Sequence, residues 1–185
     1  YQNNGGTWEQ IGSDIDGEAS NDQSGTSVSL SSDGSVVAIG APYNDANGPN
    51  ASSWGHVRIY QNNSGTWEQI GSDIDGEATG NGSGYSVSLS SDGSVVAIGA
   101  PSNNEVGSKK GHVRIYQNNG GTWEQIGSDI DGDWTDGFQD RTGEVVSLSG
   151  DGSVVAIAAP QYRYHPFASP SGNVGIFQNN SGTWE

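Results

Sequence analysis

The sequence contains no cysteine among its 185 residues. This absence excludes a disulfide framework, a zinc site built on thiolates and a cysteine nucleophile. Basic residues are few, with six lysines and arginines against 22 aspartates and glutamates, and the formal net charge is −16. A nucleic-acid partner is not expected, because neutralising phosphates requires lysine and arginine. No apolar run approaches the roughly 20 residues of a membrane-spanning helix, so we expect no membrane insertion.

Bulky apolar residues are also scarce, since Leu, Ile, Val and Phe together number 32, or 17 % of the chain. This composition with a high net charge is typical of disordered chains. Internal repetition argues otherwise. The segment Gly-Thr-Trp-Glu-Gln-Ile-Gly-Ser-Asp-Ile-Asp-Gly occurs three times without change, and an element (Tyr/Phe)-Gln-Asn-Asn recurs with periods of 59, 56 and 61 residues. Repeats of this length indicate a repeat architecture.

Each repeat unit predicts four antiparallel strands, which we label A to D in chain order. In the first unit they are Ser27–Ser31, Val36–Ala41, His56–Gln61 and Thr66–Asp73. Strands A and C alternate between apolar and polar residues, and strand B is a short apolar run that predicts burial on both faces. The dipeptide Asp33-Gly34 between strands A and B is a two-residue hairpin signal. An orphan strand D is expected at Thr7–Asp14.

Four-stranded units of this length predict an all-β fold of β-propeller type, with three antiparallel blades of about 56–61 residues. We expect blades at 25–76, 84–132 and 143–185, the last with an incomplete outer strand, and an outer strand of a preceding or ring-closing blade at 1–17. Propellers have about four to eight blades. Either the chain continues in a longer propeller, or copies assemble as a homo-oligomer, two chains giving about six blades.

Short motifs in each unit occur in the order found in one known family. The first unit contains Ser24-Gly25-Thr26-Ser27-Val28, Gly40-Ala41-Pro42 and Gly55-His56-Val57, and the second and third contain related segments. The order resembles the FG-GAP repeats of the integrin-α N-terminal propeller. The resemblance implies a calcium loop between the first two motifs. There only the central Asp33-Gly34 is retained and hydroxyls replace two carboxylates, so we expect a plain hairpin without metal.

A second acidic element, Asp-Ile-Asp-Gly-(Glu/Asp), closes each strand D. Alternating carboxylates before a glycine bend resemble the start of a calcium loop, so calcium is a possible ligand. The alternative is a solvated outer edge whose carboxylates deter edge-to-edge pairing. The candidate metal ligands are Asp14, Asp16, Glu18, Asp73, Asp75, Glu77, Asp129, Asp131 and Asp133.

Catalytic signatures are missing from the sequence. It has no Gly-x-Ser-x-Gly elbow, no Walker loop and no His-Glu-x-x-His. His56 and His112 occupy equivalent positions, followed by Arg58 and Arg114, but the third unit has Asn173 there. We interpret both histidines as polar residues on a strand face. The chain is therefore not expected to be an enzyme.

One tryptophan recurs in each outer strand, at Trp8, Trp67, Trp123 and Trp184. We expect these side chains to pack blade against blade, because buried aromatics contribute strongly to cores. The alternative is a lectin-like propeller that stacks one sugar on each tryptophan.

The B–C loops and the D–A connections differ most between the near-identical units, and both should emerge at the same edge of the blades. Loops on a rigid scaffold commonly carry recognition. We therefore expect a non-enzymatic binding or adhesion module, extracellular or at the cell surface, with a protein or glycan ligand; a purely structural module is a further alternative. The candidate binding residues are Tyr43, Trp54, Trp134, Phe138, Tyr162, Arg163, Tyr164, His165 and Phe167.

Overall fold

A computed structural model describes residues 1–45, 53–103, 110–132, 140–163 and 169–185. These residues form strands and connections, and no helix occurs among them. A ribbon of β1 (Gln2–Asn4) and β2 (Thr7–Glu9) comes first. Three antiparallel sheets follow in chain order, and we call them blades 1, 2 and 3. The all-β prediction is confirmed.

The blades have the same strand order, so equivalent strands can be compared directly. Blade 1 consists of β3 (Ser27–Leu30), β4 (Val36–Ala41), β5 (His56–Asn63), β6 (Thr66–Gln69) and β7 (Ile74–Asp75). Blade 2 consists of β8 (Ser86–Leu89), β9 (Val95–Ala100), β10 (His112–Asn119), β11 (Thr122–Gln125) and β12 (Ile130–Asp131). Blade 3 consists of β13 (Val145–Leu148), β14 (Val154–Ala159), β15 (Asn173–Asn180) and β16 (Thr183–Trp184).

Strand B has the predicted bounds, whereas strand D does not. The strand predicted over Thr66–Asp73 ends at Gln69 as β6, and a second short strand, β7, follows just beyond the predicted range; both pair with β5. The break lies at Gly71, whose φ is +73°, and a Cβ there would lie 2.5 Å from the carbonyl oxygen of Gly121 in the next blade. Strand D bends at Gly71 because the turn that contains Gly121 in the next blade lies so close to it. The orphan strand is likewise shorter than predicted, at Thr7–Glu9.

The A–B hairpin is longer than the predicted two-residue turn. Leu30 pairs with Val37, and Ser31 N–H donates to the carbonyl of Val36 over 2.9 Å. Only Gly34 in this loop has a positive φ, of 73°. The Asp33 carboxylate accepts from the Ser35 N–H at 2.9 Å, which stabilises a four-residue loop instead.

The core lies between successive blades. Each blade has a front face towards the preceding unit and a back face towards the following one. Val36, Ala38, Val57 and Ile59 of the blade 1 back face form one buried cluster with Val87, Leu89, Val96 and Ile98 of the blade 2 front face. An equivalent cluster joins blades 2 and 3. Strand B is buried on both faces in blades 1 and 2, whereas alternate residues of β14 in blade 3 are partly exposed.

Hydrogen bonds lock the stacked blades at a fixed register. The Ser27 hydroxyl donates to the Gly84 carbonyl at 2.7 Å, and the Ser29 hydroxyl accepts from Leu89 N–H at 3.0 Å. Gly40, the cross-strand partner of Ser27, leaves the room for this carbonyl, because a Cβ at Gly40 would lie 2.0 Å from the Gly84 oxygen. We call Ser27 with Gly40 the serine–glycine notch. Blade 2 repeats the notch with Ser86 and Gly99.

Candidate functional site

The variable loops and D–A connections meet at one edge of the blades, which we call the loop edge. Gly55 of the first B–C loop forms a parallel bridge with Ser83 of the following D–A connection. The carbonyls of Ser53 and Trp54 accept from the N–H groups of Gly82 and Ser83, each at 3.1 Å. In the next unit, Thr142 N–H donates to the Lys110 carbonyl at 3.0 Å. B–C loops and D–A connections are therefore interleaved along this edge.

Buried polar side chains support the loop edge from below. Asn44 donates to the Asp22 carboxylate at 2.9 Å, and Tyr43 N–H donates to the Asp22 carbonyl at 3.3 Å. The positions equivalent to Asp22 are Asn81 and Asp140, and all three are at most 4 % exposed. Sequence reasoning missed these residues, although their recurrence every 59 residues was a usable signal.

The predicted binding residues are placed unequally by the structure. Tyr43 is 45 % exposed at the loop edge, whereas Trp54, Tyr162 and Arg163 are partly buried there. Trp134, Phe138, Tyr164, His165 and Phe167 lie outside the described residues. The loop edge therefore presents at least one exposed aromatic side chain on a hydrogen-bonded base.

Carboxylates from successive acidic elements meet at a histidine, so the carboxylates of one element do not form a cluster of their own. Within the described residues, Glu18 and Asp73 instead converge on His56, and Glu77 and Asp129 converge on His112. His56 Nδ1 lies 3.6 Å from an Asp73 oxygen and 3.9 Å from a Glu18 oxygen. His112 Nδ1 lies 3.4 Å from an Asp129 oxygen. We call these groups, with the adjacent arginines, the junction clusters.

Each junction cluster includes a guanidinium group. Arg114 forms ion pairs with Glu77 and, at 3.0 Å, with Asp129. Arg58 lies 3.6 Å from Glu18 and donates to the Asp16 carbonyl at 2.8 Å. Because Glu77 ends one blade and Arg114 belongs to the next, the cluster ties successive units together. Burial raises the pKa of Tyr116, which lies beside Arg114.

The histidines are more deeply buried than a polar residue on a strand face would be. His56 is 2 % exposed and His112 is 3 % exposed. The sequence did contain a signal, because histidine and arginine change together in the third unit, to Asn173 and Gly175. That unit has no equivalent pair, so the described junction clusters number two.

The remaining candidate carboxylates lie outside these clusters. Asp14 accepts from Gln10 at 2.7 Å, and Asp16, Asp75 and Asp131 are exposed. Partial desolvation, with a smaller contribution from the Asp73 charge, raises the pKa of Asp75. Asp133 lies outside the described residues.

The donor atoms of each junction cluster fit a divalent cation in number and kind. One histidine nitrogen and two carboxylate oxygens lie within 4.8 Å of one another. This set suits zinc or a similar transition metal better than calcium, which takes oxygen ligands. The guanidinium already neutralises part of the carboxylate charge, so a cation would compete with arginine for the same oxygens.

The A–B hairpin at the family's calcium position uses its aspartate internally. One oxygen of Asp33 accepts from the hydroxyls of Ser31 at 2.8 Å and Ser35 at 2.7 Å. Hydrogen bonds, of which that from the Ser35 N–H contributes most, lower the pKa of Asp33 to about 2. Asp92 and Asp151 form the same network in blades 2 and 3.

The recurrent tryptophans lie between blades. Trp67, Trp123 and Trp184 each donate their indole N–H at 2.9 Å to the carbonyl of an isoleucine in the preceding outer segment, namely Ile11, Ile70 and Ile126. Trp123 and Trp184 also pack against the two inter-blade clusters. Trp8, on the ribbon, is 64 % exposed.

The repeated motifs and their geometry agree with a known sequence family. Residues 14–56 match the family model of the FG-GAP repeat. This match extends over 43 of the 185 residues. This repeat covers the first D–A connection, the Asp33 hairpin, strand β4 and the start of β5, so it includes the serine–glycine notch. The predicted resemblance is confirmed. No curated protein sequence is significantly similar to the chain.

Solved structures share the fold of this chain at low sequence identity. A putative 6-phosphogluconolactonase from Bacteroides uniformis matches with a TM-score of 0.54 and 15 % identity over 86 % of the chain. Sqt1 from Saccharomyces cerevisiae matches with 0.52 and 15 % over 90 %. The periplasmic gluconolactonase PpgL from Pseudomonas aeruginosa matches with 0.52 and 14 % over 83 %. These similarities show the β-propeller fold.

The chain spans between 35 % and 39 % of the length of these solved chains. Three blades therefore correspond to part of each related propeller. Within the described residues, no helix is long and apolar enough to cross a membrane.

Proposed function

We propose that this chain is a non-enzymatic binding module of an extracellular or cell-surface protein, and that it recognises a protein ligand through the loop edge. The observation that carries the proposal is the interleaving of variable loops on a fixed base. The B–C loops and D–A connections are hydrogen-bonded to one another, while the blades beneath them are nearly identical in sequence. Sequence variation on a constant scaffold is the arrangement that recognition loops use. An FG-GAP repeat agrees with such a module.

Binding of the labelled chain to an array of purified extracellular-matrix and cell-surface proteins tests this proposal. A specific ligand should bind the wild-type chain and lose at least about tenfold in affinity with Tyr43→Ala, because exposed tyrosines are frequent binding hot spots. Trp8→Ala is the matched control, since it removes an aromatic that is even more exposed but lies on the ribbon. Equal losses for both variants, or binding unaffected by Tyr43→Ala, would contradict recognition through the loop edge.

A glycan ligand is the second candidate, and the exposure of Trp8 favours it. The other three tryptophans use their indole N–H groups between blades, whereas Trp8 presents most of its surface to solvent. A glycan array should then show binding that Trp8→Ala abolishes and Tyr43→Ala leaves unchanged. Trp8 is 64 % exposed, so Trp8→Ala should cost little packing energy and this result would separate a sugar platform from a purely structural role. If the chain binds nothing on either the protein array or the glycan array, the purely structural module is favoured instead.

Two related structures are named as lactonases, so enzyme activity is tested directly. The chain spans under two fifths of their length, and no nucleophile–base pair is evident in its sequence. We expect no hydrolysis of gluconolactone or its 6-phosphate above the uncatalysed rate, measured by proton release. Hydrolysis that survives repurification and falls with a single substitution would overturn the non-enzymatic proposal.

The donor set of the junction clusters favours a further role, the binding of a divalent cation. Calorimetric titration with Zn²⁺ should show two equivalents for the wild-type chain and one for His112→Gln, which keeps a polar side chain at that position. Calcium is the alternative cation, and its ligands would be oxygens. Calcium binding that is unchanged by His56→Gln and His112→Gln together would place that ion on exposed carboxylates such as Asp16 and Asp131. Heat changes absent for both cations would leave the clusters as ion pairs.

A further inference from the structure

Two equivalent grooves open on the outer rim of the molecule, one at each junction between successive blades. The first has a volume of about 320 Å³ and the second a volume of about 370 Å³. Each is bordered on one side by the Ser-Asp-Ile-Asp segment of one outer strand and on the other by the Gly-Thr-Trp segment of the next blade. We call them rim groove 1, at residues 71–75 and 121–123, and rim groove 2, at residues 128–131 and 182–184.

The rim grooves recur because the same contacts bring the outer segments together at both junctions. In rim groove 1 the Trp123 indole donates to the Ile70 carbonyl at 2.9 Å, and in rim groove 2 Trp184 donates to the Ile126 carbonyl at the same distance. The glycine after each isoleucine has a positive φ and leaves room for a carbonyl oxygen of the next hairpin. The walls of each groove are therefore held by the stacking of the blades.

Rim groove 1 belongs to an internal junction. The outer strands on its two sides, β6 with β7 and β11 with β12, are both described in full, and its lining comes from these two blades alone. The faces at the two ends of the stack do not contribute to it. Its lining residues also differ from those of the loop edge, so a ligand here would be additional to the proposed recognition at that edge.

Each rim groove holds one carboxylate that is not neutralised by a neighbour. Asp73 and Asp129 accept hydrogen bonds from glutamine side chains and lie beside the buried histidines. Asp75 and Asp131 are exposed, and their carboxylates have no hydrogen bond or ion pair to the residues that the structure describes. Partial desolvation raises the pKa of Asp75, so a cation bound beside it would stabilise the charged form.

Aromatic rings line the same two grooves. Tyr116 and Trp123 line rim groove 1, and Phe177 and Trp184 line rim groove 2. The phenol hydroxyl is therefore not shared, whereas two rings and an unpaired carboxylate are common to both grooves. Aromatic rings attract cations, and a carboxylate forms its strongest hydrogen bonds with charged donors. The shared chemistry of the rim grooves thus favours a cationic ligand over a neutral one.

We propose that the rim grooves bind arginine side chains of a basic segment in a partner protein, one side chain in each groove. The guanidinium donates a pair of hydrogen bonds to Asp75 or Asp131 and packs against the aromatic rings of the same groove. Arginine suits this site better than lysine because its planar group can make both contacts at once. The formal charge of −16 on the chain attracts such a segment before contact is made.

Neighbouring grooves allow one segment to bind at two places. Once the first arginine is bound, the second binds as an intramolecular event, which raises the overall affinity without any new kind of contact. A peptide with several arginines should therefore bind more tightly than a peptide with one, and Asp75→Asn and Asp131→Asn should each weaken its binding. A loss confined to one of these two variants would overturn simultaneous occupation of both grooves.

Fluorescence anisotropy of a labelled oligoarginine peptide tests the proposal on the full chain. The double variant Asp75→Asn/Asp131→Asn should bind at least about tenfold more weakly than the wild type, because a hydrogen bond to a charged group is lost in each groove. Both side chains are exposed, so the circular dichroism spectrum should be unchanged. The matched control is Glu68→Gln/Glu124→Gln, which removes the same charge from β6 and β11 outside the groove linings.

The control separates a site from general attraction between opposite charges. Equal losses for the two double variants would show that the peptide responds to net charge alone, which overturns the proposal. An oligolysine peptide of the same length should bind the wild-type chain more weakly than oligoarginine. Equal affinities for the two peptides would contradict the paired contacts of a guanidinium group.

Indole N–H signals in nitrogen-15 NMR spectra locate the bound peptide. Titration with oligoarginine should shift the signals of Trp123 and Trp184 and leave that of Trp8 unchanged. A shift confined to Trp54 would place the peptide at the loop edge instead and overturn the assignment to the rim grooves, while leaving recognition at that edge intact. A neutral oligosaccharide that shifts Trp123 and Trp184 where oligoarginine does not would overturn the cationic ligand.

Discussion

At the scale of single residues, the A–B hairpins show how one carboxylate organises a turn through hydrogen bonds. Asp33, Asp92 and Asp151 each accept from two serine hydroxyls and one backbone N–H in their own loop. In each loop the negatively charged carboxylate lies at the centre, and the hydroxyl and N–H groups around it donate to it. These hydrogen bonds therefore hold the loop closed.

These aspartates should make stability depend on pH in a defined window. Hydrogen bonds hold the pKa of Asp33 and Asp151 at about 2 and lower that of Asp92, from an ordinary value of 3.8. The folded state thus binds fewer protons than the unfolded state, so this stabilisation is full above about pH 4 and is lost as pH falls towards 2. The melting temperature of the variant with all three aspartates changed to asparagine should depend less on pH between pH 4 and 2.

The control for this pH experiment is Asp131→Asn, which leaves the hairpins intact and should retain the wild-type profile. Circular dichroism melts at half-unit steps of pH measure the difference. Parallel profiles for the triple variant and the wild type below pH 4 would show that the hairpin carboxylates do not contribute.

The glycine of the notch is a second residue whose role can be measured. A Cβ at Gly99 would lie 2.1 Å from the Gly143 carbonyl oxygen, so Gly99→Ala must push blades 2 and 3 apart. We expect a loss of about 1–3 kcal/mol in the free energy of unfolding, as for other overpacked sites. The reverse change at the equivalent uncovered position, Ala158→Gly, should cost under about 1 kcal/mol. Urea denaturation of both variants compares them, and equal losses would contradict the role of the notch.

At the scale of elements, the outer strand depends on its neighbour more than on its own pairing. It bends at Gly71 to admit the next turn, and the indole of the following blade donates to the carbonyl of the adjacent Ile70. The bend and the indole contact occur at the same place, so strand D serves as the connection between blades as well as the edge of one.

Trp123→Phe should therefore weaken the contact between blades 1 and 2 while an aromatic ring still occupies the site. The ring remains to pack against the inter-blade cluster, but the 2.9 Å hydrogen bond to Ile70 is lost. We expect a decrease of about 1 kcal/mol in the free energy of unfolding. Trp8→Phe, at the exposed equivalent position on the ribbon, should change it by less than about 0.5 kcal/mol. Chemical denaturation followed by circular dichroism measures both, and an equal effect would show that the hydrogen bond is not responsible.

The sequence predicted the elements whose pattern is local and missed those fixed by a neighbouring blade. Strand β4 has its predicted bounds because its apolar run and flanking turns are contained in a few residues. The break in strand D was not predictable, since Gly71 bends to accommodate a turn about 50 residues away. The convergence of Glu18 and Asp73 on His56 was missed for the same reason, because it depends on the stacking of units rather than on spacing along one strand.

At the scale of the whole molecule, the three blades are not equally protected. Blade 2 is covered on both faces, whereas blade 1 leaves Val28 and Leu30 exposed and blade 3 leaves Val174 and Ile176 exposed. Nearest-neighbour contacts dominate the stability of repeat proteins. The middle blade should therefore open last.

Hydrogen exchange measures this order. Amides of β9 and β10 should exchange more slowly than those of β4, β5, β14 and β15, because local opening is harder where both faces are packed. Equal protection of the three blades would indicate that they unfold as one unit despite the uncovered ends.

The serine–glycine notch also has a consequence for how such chains lengthen by gene duplication. The back faces of blades 1 and 2 both carry the notch. The glycine carbonyl that lies in each notch comes from just before strand A of the following blade, from Gly84 and Gly143 respectively. A duplicated copy of blade 2 inserted after blade 1 or after itself would meet familiar surfaces on both sides and require no compensating substitution. A copy added after blade 3 would meet Val145 and Ala158 instead. On such a copy, the back face of blade 3 would regain the notch only with a serine at Val145 and a glycine at Ala158.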